Sequence, residues 1–594
     1  YNATPFMVLL CGLYAALHRF SGQAGINIGT PIAGRNLTET EALVGFFINT
    51  VIMSVELGDN PAIGELLERV KRTALDAYAH QALPFEKIVE VLKPKRDPSR
   101  SPLFQVFFNL LNLPDPTEVS GIKVDNLAQD DNESHAKYDI NIYAKEFSDR
   151  IDLLVVFNPD LYRKESVANI VDAMVSSLRS FDGPTTKLLE IPLLDAGIAA
   201  VDPTENLPVQ PGYNPLARLQ TLAVEIPEKT AIVDAVSTFS YAQLWQSIQA
   251  PAHAIANKGV REGDVIAIYA PRSAQLPLAI FAILQAGAVF TVLDPAYPAE
   301  RLAKVCTLAK PALILCGEGM AAPEVLQSAF ANARAGQLTL SAKPFSNSVI
   351  EASTLPAFDP ERTAYIAFTS GTTGEPKGIK GCFTPVAHFI EWHVRNAGIG
   401  ADDIVSMLSG LAHDPLLRDI FTPVFTGASL AIPAAVDLLE PPKLLGWFQE
   451  QRISLAHMTP NLWQMFMQAA EEFVLPNLRS VCFGGDRLAS SVIASVMQAN
   501  PQVRIFNFYG ATETPQAMGC IEVTAATLEG VSIPVGRGIE GVQLLVVNPA
   551  GQLCHGGEVG EIWIRTPYLT QGYLRDEDTS ERFITNPFTQ NVDD

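Results

Sequence analysis

The sequence predicts an α/β protein with two or three domains. Its 594 residues are too many for one domain, which typically has about 100–200 residues. Segments with helical and strand periodicity alternate along most of the chain, and this alternation favours sheets that are covered by helices. Hydrophobic residues make up 48% of the chain and charged residues 18%. This composition supplies large apolar cores and excludes a disordered protein.

The first part of the chain, up to about residue 180, is predicted to be one α/β unit. Helical periods and strand-like runs alternate in it, at 6–20, 63–79 and 167–178 for helices and at 46–55, 104–111 and 151–157 for strands. Between about 182 and 215 the composition turns to Pro, Gly, Asn and Thr without a regular period. Such a stretch is typical of a linker.

From about residue 216 the alternation restarts and predicts parallel strands with helices on both faces of the sheet. Short buried strands are expected at 231–233 and 265–269, with helices between them such as 241–258. Beyond about residue 531, glycine and proline separate short strands. We therefore expect a smaller β-rich unit there.

Charge and cysteine content exclude several classes of partner. The 42 Lys and Arg against 64 Asp and Glu give a net charge of −22, which repels nucleic acid and anionic lipid. The seven cysteines are scattered without a C-x-x-C pair, as expected for reduced thiols of a cytoplasmic protein. The uncharged run 276–293 contains Pro277, Gln285 and Gly287. We expect it to form a buried helix, turn and strand rather than a membrane span.

The segment 363–378, TAYIAFTSGTTGEPKG, is a candidate phosphate-binding loop. A buried strand at 364–368 leads into small and hydroxyl residues: Thr369, Ser370, Gly371, Thr372, Thr373 and Gly374. Glycines let backbone N–H groups approach an anion, hydroxyls add donors, and Lys377 adds a point positive charge. The alternative is an ordinary turn with a solvated lysine. The loop is not a Walker A motif, because G-x-x-x-x-G-K-[ST] is absent here.

With this loop, the chain resembles the adenylate-forming enzymes, specifically the adenylation domains of non-ribosomal peptide synthetases. Six motifs of that family follow in order, at 239–244, 284–295, 363–378, 413–421, 507–513 and 560–574. The resemblance implies that 216–594 is the large N-terminal subdomain, with two helix-covered β-sheets and a small β-barrel. The family's C-terminal subdomain and its carrier domain are expected to lie outside this chain.

The resemblance also implies roles for the motif residues. Lys377, Thr512 and Glu513 would be catalytic, with Thr512 on the α-phosphate of ATP and Glu513 on Mg²⁺. Tyr509 would stack on adenine, and the rest of the nucleotide site would comprise the loop residues 369–374 with Gly484, Gly485, Asp486, Asn507, Phe508 and Gly510. Taken alone, Thr512 and Glu513 are more typical of an exposed turn or a helix cap, and Tyr509 of a half-buried loop anchor.

Asp414 falls where family members that activate amino acids place the aspartate for the substrate α-ammonium group. Asp414 followed by Pro415 is also typical of a helix start, with Asp414 as N-cap, and both roles can coexist because an N-cap side chain can line a pocket. Arg418, four residues on, shares a helix face with Asp414. A carboxylate on the substrate side chain would offset the burial of the guanidinium, so we expect an acidic substrate. An Asp-Pro followed by Arg at this spacing also resembles the pocket of domains and reductases that activate α-aminoadipate, which implies an aminoadipate-like substrate. If Arg418 instead pairs with Asp414 or Asp419, the substrate is neutral. The other pocket residues implied are Pro415, Cys482, Gly484, Phe508, Gln516 and Ala517.

Residues 1–181 resemble the C-terminal lobe of a condensation domain, an α/β sandwich like that of chloramphenicol acetyltransferase. The matching strings lie at 29–35, 44–50, 80–86 and 96–103. The family's H-H-x-x-x-D-G motif is absent from this sequence. His80 is therefore expected to be a structural hydrogen-bonding residue, and Arg96 and Asp97 an ion pair or loop clamp.

Together these resemblances imply a fragment of a peptide synthetase module of secondary metabolism. It would form an aminoacyl-AMP from ATP, with Mg²⁺, for loading onto the phosphopantetheine of a carrier-protein domain in the same assembly line. Two alternatives remain: an acyl-CoA or aryl-acid ligase of the same family, and a scaffold with a vestigial nucleotide site.

Overall fold

The structure, a computed structural model, describes residues 1–35, 38–41, 43–95, 97–111, 136–193, 201–210, 212–341, 355–370, 375–469, 473–530 and 532–590. It divides into two compact units. The first comprises Tyr1–Val201 and Leu545–Trp563, and the second comprises Asp202–Leu544 and Ile564–Asp594. Within the described residues, the helices are too short or too polar to cross a bilayer. All seven cysteines are free thiols, as predicted.

The first unit is a five-stranded sheet packed against helices. Strand order is β2-β1-β3-β4-β5, with parallel pairs in the centre and antiparallel pairs at both edges. The elements are α1 (Pro5–Ser21), β1 (Gly25–Ile32), α2 (Thr38–Glu41), β2 (Asn49–Glu56), α3 (Ile63–Ala79), α4 (Phe85–Leu92), β3 (Val106–Leu111), β4 (Ile140–Glu146), β5 (Ile151–Phe157) and α5 (Lys164–Arg179).

The residues at the two ends of helix α1 explain where this helix begins and ends. The Thr4 hydroxyl accepts a hydrogen bond from the Met7 N–H at 3.3 Å, and Pro5 occupies the first turn, where its missing N–H costs nothing. Gly22 ends the helix at φ +66°, a conformation that glycine adopts without strain. The helix buries its apolar side chains against α3 and α5 in the core.

The predicted helices of this unit are confirmed, and two strands begin later than predicted. Pairing of β2 with β1 begins at Asn49, whereas the prediction began at residue 46. Phe46 and Ile48 are exposed, so their apolar character does not report a buried strand face. Strand 104–111 likewise begins only at Val106.

Local side-chain contacts order two of the strings that resemble a condensation domain, at 80–86 and 96–103. His80 ends α3, and its Nδ1–H donates to the carbonyl oxygen of Asp76 at 2.8 Å, in agreement with the structural role predicted. Asp97 forms a clamp with Arg100 at 2.9 Å and accepts from the Ser99 hydroxyl at 2.6 Å. Its partner is therefore Arg100, while Arg96 lies outside the described residues.

The second unit contains the remaining elements. They are α6 (Pro215–Glu225), β6 (Thr230–Val233), β7 (Thr238–Ser240), α7 (Tyr241–Asn257), β8 (Val265–Tyr269), α8 (Gln275–Gln285), β9 (Val289–Val292), α9 (Ala299–Ala309), β10 (Leu313–Gly317), α10 (Glu324–Ala331), β11 (Gln337–Leu340), β12 (Thr363–Ser370), β13 (Pro376–Cys382), α11 (Thr384–Ala397), β14 (Ile404–Ser406), α12 (Pro415–Thr426), β15 (Ser429–Ala431), α13 (Pro441–Glu450), β16 (Leu455–Met458), α14 (Pro460–Ala469), β17 (Ser480–Phe483), α15 (Ser490–Ala499), β18 (Arg504–Ala511), β19 (Thr514–Glu522), β20 (Arg537–Gly538), β21 (Gln543–Val547), which ends in the first unit, β22 (Glu561–Arg565), which begins in the first unit, and α16 (Asp576–Arg582).

Two large sheets organise this unit. The six-stranded sheet has the order β11-β10-β8-β9-β12-β13, and the nine-stranded sheet has the order β20-β19-β18-β17-β16-β14-β15-β6-β7. The central pairs are parallel and the edge pair β12–β13 is antiparallel. The predicted α/β architecture with parallel strands is confirmed. The run 276–293 forms α8 and β9, as predicted.

The small β-rich part contains the two short strands β21 and β22. In the described residues, they pair in a two-stranded sheet. These strands have five residues each. The prediction of short strands in this region is confirmed.

Candidate active site

A cavity of about 390 Å³ opens where the carboxyl ends of β16, β17 and β18 meet the start of α12. This position is typical of ligand sites in parallel sheets, and the volume suits a small molecule. The lining residues are Leu408, Ser409, Gly410, His413, Asp414, Pro415, Arg418, Met458, Thr459, Leu462, Gly484, Gly485, Phe508, Gly510, Ala511, Thr512 and Gln516.

Asp414 is fixed by the turn that joins β18 to β19. Its Oδ1 accepts from the Thr512 hydroxyl and its Oδ2 from the Gln516 N–H, each at 3.0 Å. The Gln516 side-chain amide donates to the Asp414 carbonyl oxygen at 2.8 Å. Burial raises the pKa of Asp414, and these hydrogen bonds act in the opposite direction. Asp414 stands at the N-cap position of α12 with Pro415 in the first turn, as the helix-start alternative predicts, but its side chain makes no capping bond to the helix.

Gln516 has a strained backbone conformation at this site. Its φ is +74°, in a region that residues with a side chain rarely adopt. It is 6% exposed, and its hydrogen bonds to Asp414 hold it in place. Strained backbone of this kind concentrates at functional sites.

Arg418 lies one helical turn after Asp414 and is 5% exposed. Its guanidinium carbon lies 5.6 Å from the centre of the Phe508 ring, and its Nε has no hydrogen-bond partner. Throughout the described ranges, no carboxylate forms an ion pair with it. The predicted pairing with Asp414 or Asp419 is therefore not formed.

Asp419 is instead engaged with a histidine pair behind the cavity. His457 Nδ1–H donates to Asp419 Oδ1 at 2.9 Å, and the Ser409 N–H donates to Oδ2 at 3.0 Å. His393 Nε2 and His457 Nε2 lie 3.0 Å apart, which fits a hydrogen bond from His393 to neutral His457. Burial lowers the pKa of both histidines.

Cys482 completes this buried cluster. The ligand atoms of Cys482, His393 and His457 all lie within 4.8 Å of one another. Burial raises the pKa of the Cys482 thiol, which disfavours the thiolate that a metal requires. Hydrogen bonding within the histidine pair accounts for the arrangement without an ion. Cys482 and Ala517 are fully buried and are not among the cavity's lining residues.

The predicted phosphate loop joins β12 to β13. Thr369 and Lys377 face each other as Cα partners in this antiparallel pair. Gly371, Thr372, Thr373 and Gly374 lie outside the described residues, as does the side chain of Ser370.

Lys377 and Glu513, far apart in sequence, share Tyr573 as a neighbour. The Lys377 Nζ lies 5.7 Å from the centre of the Tyr573 ring, and the Tyr573 hydroxyl donates to the Glu513 carboxylate. Lys377 also forms an ion pair with Asp578 at 2.6 Å. Burial and Glu513 raise the pKa of Tyr573. Tyr573 belongs to the sixth motif, whereas no sequence signal pointed to Asp578.

The other predicted nucleotide residues occupy different environments. Gly484 and Gly485 line the cavity, and Asp486 is exposed and accepts from the Asn461 amide at 3.2 Å. Asn507 is 4% exposed and donates to the Pro534 carbonyl oxygen at 2.8 Å. Tyr509 is half-buried on β18, between the lining residues Phe508 and Gly510.

Known families match most of the chain. Residues 219–574 match the family model of AMP-binding enzymes. The chain belongs to this family. Residues 1–196 match the condensation domain model, so a part that matches condensation domains precedes the part that matches AMP-binding enzymes.

Curated relatives are similar over nearly the whole chain. One protein of the linear gramicidin synthase of Brevibacillus parabrevis is 32% identical over 99% of this chain and 8% of its own length. L-2-aminoadipate reductase of Schizosaccharomyces pombe is 29% identical over 98% of this chain and 44% of its own length. The chain thus spans less than half the length of these relatives.

Solved structures share the fold. Holo-AB3403, a four-domain non-ribosomal peptide synthetase bound to AMP and glycine, superposes with a TM-score of 0.81 and 23% identity over 100% of this chain and 45% of that chain. FmoA3, another non-ribosomal peptide synthetase, gives a TM-score of 0.74 with 19% identity, over 99% of this chain and 63% of that chain. The predicted fold class is confirmed.

Proposed function

We propose that the second unit activates an acidic, aminoadipate-like amino acid as its aminoacyl adenylate. The observation that supports the substrate class is the buried Arg418, which faces the cavity without a carboxylate partner among the described residues. In this proposal residues 216–594 form the adenylation large subdomain, 182–215 the linker and 1–181 the condensation lobe.

Asp414 binds the substrate α-ammonium group. Its carboxylate lines the cavity and is held by the Gln516 N–H and the Thr512 hydroxyl. These donors favour the charged carboxylate against the effect of burial. A cationic α-amine beside it favours the same form, so substrate binding and aspartate ionisation support each other.

Arg418 binds the side-chain carboxylate of the substrate. A buried guanidinium without a partner is unfavourable, and an anion in the cavity offsets that cost. The planar guanidinium matches a carboxylate in two parallel hydrogen bonds, and the Phe508 ring supports its cationic face. The reductase relative is named for 2-aminoadipate, whose side chain ends in such a carboxylate.

The nucleotide site is proposed around Lys377 and Glu513. Lys377 with the 369–374 loop takes the phosphates, and Tyr509 with Gly484, Gly485 and Asp486 takes adenine and ribose. The Glu513 carboxylate offers oxygen ligands that suit Mg²⁺, which when bound neutralises phosphate charge. Thr512 borders both parts of the site and can turn its hydroxyl from Asp414 to the α-phosphate.

The proposed reaction proceeds by displacement at the α-phosphorus. The substrate's α-carboxylate oxygen forms the new P–O bond, and pyrophosphate leaves with the electrons of the broken bond. Asp414 and Arg418 hold the amino acid at both ends, so that the attacking oxygen is oriented. A carrier-domain phosphopantetheine thiol is the proposed acceptor of the aminoacyl group.

Amino-acid-dependent ATP–pyrophosphate exchange with the full-length synthetase tests the proposal. We expect 2-aminoadipate or glutamate to be preferred over leucine and phenylalanine. Arg418→Leu should lower kcat/KM for the acidic substrate by at least about thirtyfold, because one member of a buried charge pair is removed. The exposed Arg487→Gln is the matched control and should leave the preference unchanged.

Two results would contradict the proposal. If leucine or phenylalanine is preferred and Arg418→Leu does not change this preference, the acidic substrate is rejected while amino-acid activation still holds. Exchange with fatty or aryl acids but with no amino acid would replace the synthetase activity by an acyl-CoA or aryl-acid ligase.

A further inference from the structure

The lysine of the phosphate loop already has an anionic partner. Lys377 Nζ lies 2.6 Å from Asp578 Oδ1, and the two side chains are only 27% and 18% exposed. The same ammonium faces the ring of Tyr573. A carboxylate oxygen therefore occupies a position on Lys377 that a phosphate oxygen would take.

The backbone around α16 fixes this carboxylate. The Tyr573 N–H donates to the Thr579 hydroxyl oxygen at 2.8 Å, which ties the start of α16 to the sixth motif. The Leu574 N–H donates to the Gly378 carbonyl oxygen at 2.8 Å, and the Lys380 N–H donates to the Gly572 carbonyl oxygen at 2.8 Å. These bonds hold the segment along β13, next to Lys377. Asp578 is thus directed to Lys377 by the fold, and not by a chance encounter of two mobile side chains.

Repulsion between anions determines how the ion pair of Lys377 and Asp578 responds to a bound triphosphate. Asp578 and phosphate oxygens are both anionic, so they repel each other when they share one ammonium group at close range. Lysine carries a single point charge with three donors. Binding of phosphate to Lys377 therefore weakens or breaks its contact with Asp578.

We propose that Asp578 is a built-in competitor of the triphosphate for Lys377 and thereby sets the nucleotide affinity of the site. This inference rests on the proposed nucleotide role of Lys377. Without nucleotide, Asp578 neutralises the lysine. After adenylate formation, re-formation of the ion pair promotes the departure of pyrophosphate from Lys377.

Calorimetric titration of the full-length synthetase with Mg·ATP and with pyrophosphate tests the competition. Asp578→Asn should bind each ligand about three- to fivefold more tightly, the range that a partly exposed ion pair supports. The gain for ATP should persist in EDTA, because it does not require the metal. Asp576→Asn removes the same charge from the same helical turn and is the matched control, with unchanged affinity.

A double variant assigns the gain to Lys377. In a Lys377→Gln background, Asp578→Asn should give no further tightening. Thermal unfolding without nucleotide serves as the folding check, and we expect each variant to unfold within a few degrees of the wild type.

Other results overturn the inference. Equal affinity of Asp578→Asn and wild type would show that the contact does not compete with nucleotide. Weaker Mg·ATP binding by Asp578→Asn, with no change in EDTA, would make Asp578 a metal ligand instead. Absence of ATP binding by the wild type would reject the proposed function itself, so the two failures are distinct.

Discussion

At the scale of single residues, the buried histidine pair ties the stability of the second unit to pH. His393 and His457 have folded-state pKa values below the ordinary 6.5, so the unfolded chain binds their protons first as pH falls. Stability that is present near neutral pH is therefore lost below about pH 6.5. The groups that face the pair are Arg418, which disfavours protonation, and Asp419, which favours it.

His393→Gln should reduce the decrease in unfolding free energy that occurs as pH falls. The expected change is up to about 1.4 kcal/mol per pH unit in the slope of unfolding free energy between pH 6.5 and 5, measured by denaturant titration with tryptophan fluorescence. His80→Gln, on the exposed end of α3, is the control. Asp414 has a raised pKa, so it adds stability as pH falls, opposite to the histidines. Its contribution is the same in the wild type and in His393→Gln, so it cancels when the pH slopes of their unfolding free energies are compared. An unchanged slope in His393→Gln would show that the pair is not the source.

At the scale of elements, the segment 571–574 behaves as an added strand on the edge of β13. Its backbone hydrogen bonds reach Gly378 and Lys380, and a Cβ on Gly378 would lie 2.5 Å from Leu574 Cδ1. Gly378 therefore permits the close approach that brings Tyr573 to Glu513. The same close approach brings the Asp578 carboxylate within ion-pair distance of the Lys377 ammonium group.

Gly378→Val should separate this segment from β13. Overpacking of this kind costs about 1–3 kcal/mol, and we expect faster hydrogen exchange at the amides of Lys380 and Leu574. Gly446→Ala in α13 is the control, because nothing lies within 4 Å of its added Cβ and alanine favours helix. Unchanged exchange at both amides would contradict the added-strand interpretation.

At the scale of the whole molecule, the order of the chain does not follow its compact units. Leu545–Trp563 belongs to the first unit, and Glu558 in it pairs with Arg19 of α1 at 2.7 Å, with both side chains at most 1% exposed. The Asn548 amide also donates to the Leu189 carbonyl oxygen at 2.9 Å. The segment 545–563, late in the sequence, thus packs within the first unit through a buried ion pair and a buried hydrogen bond.

Glu558→Ala should release this late segment. It leaves Arg19 buried without a charged partner, at a cost of about 3–5 kcal/mol, and hydrogen exchange across 545–563 should accelerate. Glu522→Ala removes the partner of Arg504 at the surface, where the pair is worth less than about 1 kcal/mol. If both variants exchange at the same rate across 545–563, the buried pair does not hold the segment.

Local patterns predicted most of the elements. Helix 63–79 and strand 151–157 have the bounds that periodicity indicated, because each has a continuous apolar face. Strand 46–55 was too long, because Phe46 and Ile48 are apolar yet exposed. Periodicity reports which residues could be buried, and only packing decides which ones are.

The candidate site was predictable in part. The family resemblance singled out Asp414, and the four-residue spacing from it singled out Arg418, but neither determined the partners of these side chains. The hydrogen bonds from Thr512 and Gln516 engage Asp414, and His457 engages Asp419. Those contacts join residues about 40–100 positions apart, which no local pattern encodes.

The α/β class, the order of the motifs and the family follow from the amino-acid sequence alone, because these depend on residue types at fixed spacing along one chain. Three further features follow only from tertiary packing: Arg418 is without a carboxylate partner among the described residues, Asp578 forms an ion pair with Lys377, and 545–563 belongs to the first unit. Each of these depends on the separation of charged side chains in space. That separation is set by packing of elements far apart in sequence.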